Sequence, residues 1–235
     1  CILFDDMPRH VNALAAAQLD IVAEVMAASH AEHALVCPSY YSTDPVLERV
    51  FGAMPADYWE ELGAGLPAET GIFWTGDKVC AQSHDAAGLG EIAARFARKP
   101  VLWDNYPVND GARGSNFLRI DAFRGRGSEL AGLTQAHFVN PMNQCWLSRL
   151  ALQSLALLYQ QGPAYDADAA FAQCTLAQCG EALAAALAAD RDALQHEGLS
   201  ALSGARLAQM RARYAAFRSP FAQEICDWLN GGYAF

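Results

Sequence analysis

The residues of this sequence that could do chemistry stand just after short apolar runs. Asp5 and Asp6 follow Cys1-Ile2-Leu3-Phe4. Two carboxylates ending a buried strand are costly unless they are hydrogen-bonded or used in a reaction. An exposed Asp-Asp turn or helix cap is the plainer alternative. Further along, Pro38-Ser39-Tyr40-Tyr41, Trp74-Thr75-Gly76, Trp103-Asp104-Asn105-Tyr106 with Asn109-Asp110, and Asn140-Pro141-Met142-Asn143 occupy equivalent places. Turn preferences account for Asn, Asp, Pro and Gly. They do not account for a Tyr pair and two Trp. Carboxylates, amides and aromatic rings together suit a carbohydrate: rings pack on the C–H face of a pyranose, and Asn and Asp bond its hydroxyls. No nucleophile elbow, phosphate loop or HExxH motif occurs.

The elements that must position these groups alternate. Apolar runs predict strands at 1–6, 34–37, 71–75, 101–103 and 135–140, the first buried on both faces. Helical spacing predicts helices at 11–31, 45–52, 57–64, 85–97 and 143–160, and residues 106–127 are rich in turn formers. Strands alternating with helices point to a parallel sheet covered by helices, whose carboxyl strand ends form the active-site face. A spacing of roughly 32 residues per unit matches an eight-unit barrel. The expected fold class is α/β: the C-terminal five units, strands 4 to 8, of a (β/α)8 TIM barrel, followed by an all-α helical region. The break at Gln161-Gly162-Pro163 separates an expected catalytic barrel portion, 1–161, from a helical domain, 162–235, with Ala-rich segments near 166–187, 190–197, 200–216 and 219–229.

Composition narrows the function classes. The chain has 235 residues, 53% hydrophobic, with net charge −10 and only Lys78 and Lys99 as lysines. Without a basic run, it is not expected to bind nucleic acid or an anionic membrane. Seven cysteines, several in apolar contexts, read as free thiols of a reducing compartment, hence a cytoplasmic location. Cys174 and Cys179 lack CxxC spacing, and the six histidines show no metal spacing, so neither metal nor cofactor is expected. His30 and His33 sit where a helix C-terminus favours a positive charge. No apolar run reaches the roughly 18 residues of a membrane span, and no signal peptide is visible.

Five segments occur in order: Phe4-Asp5-Asp6, Cys37-Pro38-Ser39-Tyr40-Tyr41, Trp74-Thr75-Gly76-Asp77-Lys78-Val79, Val101 to Asp110, and Asn140-Pro141. Together they resemble the family 84 glycoside hydrolases, the O-GlcNAcases and related β-N-acetylglucosaminidases. The resemblance covers residues 1 to about 160. Family members begin with three further strand–helix units, and the natural protein is expected to have them. The resemblance implies retaining hydrolysis of terminal β-linked N-acetylglucosamine, with O-GlcNAc on Ser or Thr of proteins as the expected substrate. The sugar's own acetamido group would be the nucleophile and an oxazoline the intermediate. Asp5 would accept the acetamide N–H. Asp6 would protonate the leaving oxygen and then activate water. Neighbouring carboxylates resist joint ionisation, so one can stay protonated near neutrality. The strand must bend for both to face the sugar, because adjacent strand residues point oppositely.

By the same resemblance Tyr41 bonds the acetamido group, Trp103 walls its methyl, and Asn105, Asp110 and Asn140 bind the substrate and its hydroxyls. Tyr40 is expected to pack, Asp104 to bond loop backbone, and Lys78 to be an ordinary solvated lysine. The implied partner is a GlcNAc-bearing glycoprotein or glycoside, with the helical region a candidate homodimer surface. Two other readings remain: a catalytically silent carbohydrate-binding module, and a metal hydrolase using Asp5, Asp6 and Asp110. The lack of histidine ligands counts against the second.

Overall fold

The computed structural model describes residues 1–5 and 11–233. In chain order the elements are β1 (Ile2–Leu3), α1 (Leu14–Ala28), β2 (Leu35–Cys37), α2 (Pro45–Phe51), α3 (Tyr58–Gly65), β3 (Gly71–Trp74), α4 (Ala86–Arg95), β4 (Val101–Asp104), α5 (Gly111–Gly114), α6 (Leu130–Leu133), β5 (Ala136–Val139), α7 (Cys145–Gln161), α8 (Ala167–Asp192), α9 (Gly204–Ala215) and α10 (Pro220–Leu229). Asp44, Asp85, Asp166 and Ser203 stand at helix N-caps and accept a backbone N–H of the first turn, which starts α2, α4, α8 and α9 where the sequence places these residue types.

The strands form one sheet in the order β1-β2-β3-β4-β5. The first three pairs are parallel, with registers Ile2↔Val36, Leu35↔Gly71 and Phe73↔Val101. A parallel sheet whose order follows the sequence, with helices in the connections, is wound in one sense as in a barrel; a doubly wound sheet reverses at a switch point. The molecule is thus α/β, with five barrel-type units followed by helices.

The chain divides into two compact units, Cys1–Asp104 with Glu129–Phe138, and Asn105–Ser128 with Val139–Phe235. In the first, alternate residues of β3 serve different layers. Phe73 clusters with Cys37 and Val101, while Trp74 meets Trp59 of α3 and Phe96 after α4, ring centroids 5.3 and 6.1 Å apart. In the second, the core gathers Leu118, Ile120, Leu147, Leu187, Tyr214 and Trp228.

Several expectations are corrected. The strand expected over 1–6 is only Ile2–Leu3, and Asp5 already lies in a turn. β1 stands first in the strand order of the described residues, where Leu3 is 52% exposed. The helices expected at 166–187 and 190–197 are joined. α8 runs to Asp192, continues as a π-helical turn over Ala193–Glu197, and breaks at Gly180 (φ 74°), where glycine tolerates the left-handed region. The short α6 was not anticipated.

Candidate active site

Asp5, Tyr41 and Trp103 belong to the first unit; Asp5 and Tyr41 follow β1 and β2, and Trp103 is the penultimate residue of β4. Asp5 is half-buried. Burial first, and the Asp5 carboxylate second, push the Cys37 thiol well above its ordinary value. Cys37 is the last residue of β2, and Tyr41 and Trp103 pack beside it and Phe73. The Trp103 ring meets Phe73 edge to face at 4.8 Å, and Phe73 meets Phe138 of β5 at 5.4 Å. The chain after β2 is fixed to the chain after β3 where Thr75 N–H donates to the Tyr41 carbonyl (2.9 Å). Tyr40 is buried, its hydroxyl donating to the Gly52 carbonyl at 2.8 Å and its ring edge to face with Tyr58. Asp6 lies outside the described residues.

Asp104, expected to bond loop backbone, is a buried carboxylate whose Oδ2 lies 3.1 Å from Nε2 of His137 and 3.7 Å from Nε2 of His84. Alternation along β4 sends Trp103 and Asp104 to opposite faces, so these imidazoles brace the strand from the side away from Trp103. Sequence spacing did not reveal them, because β5 and the loop after β3 supply one each. A cavity of about 230 Å³ beside His84 is lined by Trp59, Trp74, Asp85 and Arg95 and by none of the expected site residues.

Asn105, Asp110 and Asn140 belong to the second unit. Asn140 Nδ2 donates to Asn105 Oδ1 at 3.0 Å, so the residues following β4 and β5 meet. Asp110 is exposed. Its neighbour Asn109 is buried and saturated: Nδ2 donates to the Phe117 carbonyl (3.0 Å) and Gln144 Oε1 (2.7 Å), and Oδ1 accepts the Asn143 N–H (3.2 Å). Asn109 therefore holds the loop that presents Asp110, a role its place in the motif did not disclose. Among the described residues, no group of three His, Cys, Asp or Glu side chains could hold a metal ion. No helix among them is long and apolar enough to cross a membrane.

The sequence and the fold both have known relatives. Residues 1–190 match a family model described as β-N-acetylglucosaminidase. Protein O-GlcNAcases of Mus musculus and Rattus norvegicus are each 26% identical over 168 residues, covering 68% of this chain. The chain spans only 18% of the length of these curated relatives. The structure of a point variant of the O-GlcNAc hydrolase of Thermobaculum terrenum superposes with a TM-score of 0.77 at 25% identity, over 98% of this chain and 57% of that one. With its family model matched over most of its length, the chain belongs to the β-N-acetylglucosaminidase family.

Proposed function

We propose that this chain carries the catalytic carboxylates of a retaining β-N-acetylglucosaminidase that removes O-linked GlcNAc from Ser or Thr of proteins. The observation that carries the reading is positional. Asp5, Tyr41, Trp103, Asn105 and Asn140 all lie at or just beyond the carboxyl ends of strands in a sheet of barrel-type order, the face on which such folds build their sites. Residues 1–161 are the barrel portion in this reading and 162–235 the helical domain.

The chemistry follows the substrate-assisted exception to the two-carboxylate scheme. The acetamide carbonyl oxygen attacks the anomeric carbon. The glycosidic C–O bond breaks as Asp6 gives its proton to the leaving oxygen. Asp5 accepts the acetamide N–H and offsets the positive charge of the forming oxazoline. Asp6, now a carboxylate, takes a proton from water as that water attacks the anomeric carbon and reopens the ring. Tyr41 and Trp103 hold the acetamide, and Asn105, Asp110 and Asn140 the hydroxyls.

The test is Asp6→Ala on two aryl GlcNAc glycosides. Turnover should fall by about 10²–10⁴ on the poor leaving group and far less on one that needs no proton. Asp5→Asn should impair both. Equal loss on both substrates for Asp6→Ala would remove it as the acid. Tight binding of an oxazoline mimic without turnover would favour a silent sugar-binding module.

A further inference from the structure

The geometry points to Gln18, Ser39 and Tyr58 as positioning residues for Asp5, acting through the backbone of Phe4. The inference rests on the reading of Asp5 and Asp6 as the catalytic carboxylates. Gln18 and Tyr58 do not stand out in the sequence, and Ser39 does so only as a member of the Pro38-Ser39-Tyr40-Tyr41 segment. Gln18 lies inside α1, Ser39 just beyond β2, and Tyr58 opens α3. All three are buried, at 0%, 1% and 0% exposure.

The strand ladder shows why they matter. β1 and β2 pair in parallel through Leu3↔Cys37, and the ladder is extended by Phe4 N–H donating to the Cys37 carbonyl at 2.8 Å. In a parallel ladder the next rung would run from Ser39 N–H to the Phe4 carbonyl. That rung is open. Ser39 N–H donates instead to the Tyr58 hydroxyl oxygen (2.9 Å), and the Phe4 carbonyl accepts from the Ser39 hydroxyl (2.8 Å). Two further bonds close the detour: Tyr58 O–H to Gln18 Oε1 (2.5 Å), and Gln18 Nε2–H to Ser39 Oγ (2.8 Å).

The proton directions are fixed by elimination. The Phe4 carbonyl needs a donor, and Ser39 has one hydroxyl proton to give. Ser39 Oγ then has only acceptor capacity left for Gln18, so Gln18 must present its N–H there and its oxygen to Tyr58. The Tyr58 proton goes to Gln18, leaving a lone pair for Ser39 N–H. One backbone rung has been replaced by three buried side chains from two helices and a loop.

Burying three polar side chains is costly where an apolar cluster would also pack α1 and α3 against the sheet. What the network does that an apolar cluster could not is hold two backbone groups apart at a defined distance. Those groups belong to Phe4, next to Asp5, and to Ser39, two residues before Tyr41. The opening lets the chain leave β1 and turn at Asp5. It thereby sets where the first carboxylate stands relative to the β2 end.

The experiment measures kcat and KM for Tyr58→Phe and Ser39→Ala in the full-length protein, beside wild type and Asp6→Ala, on the poor and good leaving-group glycosides. Each variant removes one oxygen. Both should lower kcat about tenfold or more with KM changed less than about twofold, since small misplacement of a catalytic group costs this much. Ser39→Thr, which keeps the hydroxyl, should restore kcat. Should Tyr58→Phe fail to fold, Gln18→Met breaks the same chain from the other side. Retention of kcat within about twofold in the folded variants, with only the melting temperature lowered, overturns the positioning role while leaving the catalytic reading intact. Loss of the leaving-group signature in Asp6→Ala, or no turnover by wild type, overturns the catalytic reading and this inference with it.

Discussion

Asp44 shows how one side chain ties the loop after β2 to the loop after β3. Its carboxylate accepts the Val46 N–H at 3.0 Å, capping α2, and the Val79 N–H at 3.3 Å, from the loop after β3. The Val46 bond is the main cause that holds its carboxyl below the ordinary value; the Val79 bond and Lys78 add to it, and burial opposes. Lys78, at 4.0 Å and half in solvent, is too exposed to contribute much. A carboxyl whose folded pKa is depressed gives stability that is present above its unfolded pKa and lost as the pH falls through the folded one. Asp44→Asn keeps an acceptor for the cap but loses the charge, so it should be less stable than wild type at neutral pH, with the gap closing in acid. Urea unfolding from neutral pH to below the carboxylate range measures this, and a pH-independent gap would refute it. At this scale the sequence was legible where residue type implies geometry. Trp103 and Tyr41 are aromatic at strand ends. Gln18 was not legible, because a Gln within an Ala-rich helix looks like surface until the packing of α1 against α3 is known.

The same division runs through the elements. The strand positions could be read because apolar runs bounded by Pro and Gly are local signals. The extent of β1 could not, since the rung after Phe4 N–H is replaced by side chains distant in sequence. Nor could α6, whose four residues Leu-Ala-Gly-Leu are too few to show a period. The start of α7 is a further case of help from afar. Its own N-cap residue, Gln144, makes no side-chain cap bond. Glu224 on α10 substitutes: Oε1 accepts the Trp146 N–H at 3.0 Å and Oε2 the Leu147 N–H at 2.9 Å. Burial pushes the Glu224 carboxyl up, against those two bonds. Glu224→Ala leaves the buried Leu147 N–H and the part-buried Trp146 N–H without this partner and should cost about 1–3 kcal/mol. Exposed Glu181→Ala on α8 should stay within about 0.5 kcal/mol of wild type. Denaturant midpoints decide it; equal effects of the two changes would deny α10 its capping role.

For the whole molecule, the course of the chain decides what can be cut away. The segment 105–128 carries Asn105, Asn109 and Asp110, and it is built on residues beyond 161. Leu118 N–H donates to the Leu194 carbonyl (2.9 Å), Leu199 N–H to the Asn116 carbonyl (2.7 Å), Trp228 Nε1 to the Ser115 carbonyl (2.9 Å), and Asp121 N–H to Gln195 Oε1 (3.1 Å). Leu118 and Ile120 share one core with Phe171, Leu187 and Trp228. A chain ending at 161 would leave these backbone groups unpaired and this core open, each unmet buried group costing roughly 1–3 kcal/mol. It should lose cooperative unfolding, bind a hydrophobic dye and turn over no GlcNAc glycoside. A gentler form of the same test uses Gly198. Its backbone is left-handed (φ 80°), and an added Cβ would lie 2.8 Å from the Asn116 carbonyl oxygen. Gly198→Ala must therefore push the 115–121 segment away or abandon its own conformation, and should destabilise the protein by about 1–3 kcal/mol. Because Asn109 grips the Phe117 carbonyl, the disturbance should reach the loop that presents Asp110. It should appear as faster amide exchange from 109 to 121, with β1 to β3 unchanged. Faster exchange spread evenly over the chain, or a soluble and active fragment ending at 161, would show that the helices do not support this part of the site.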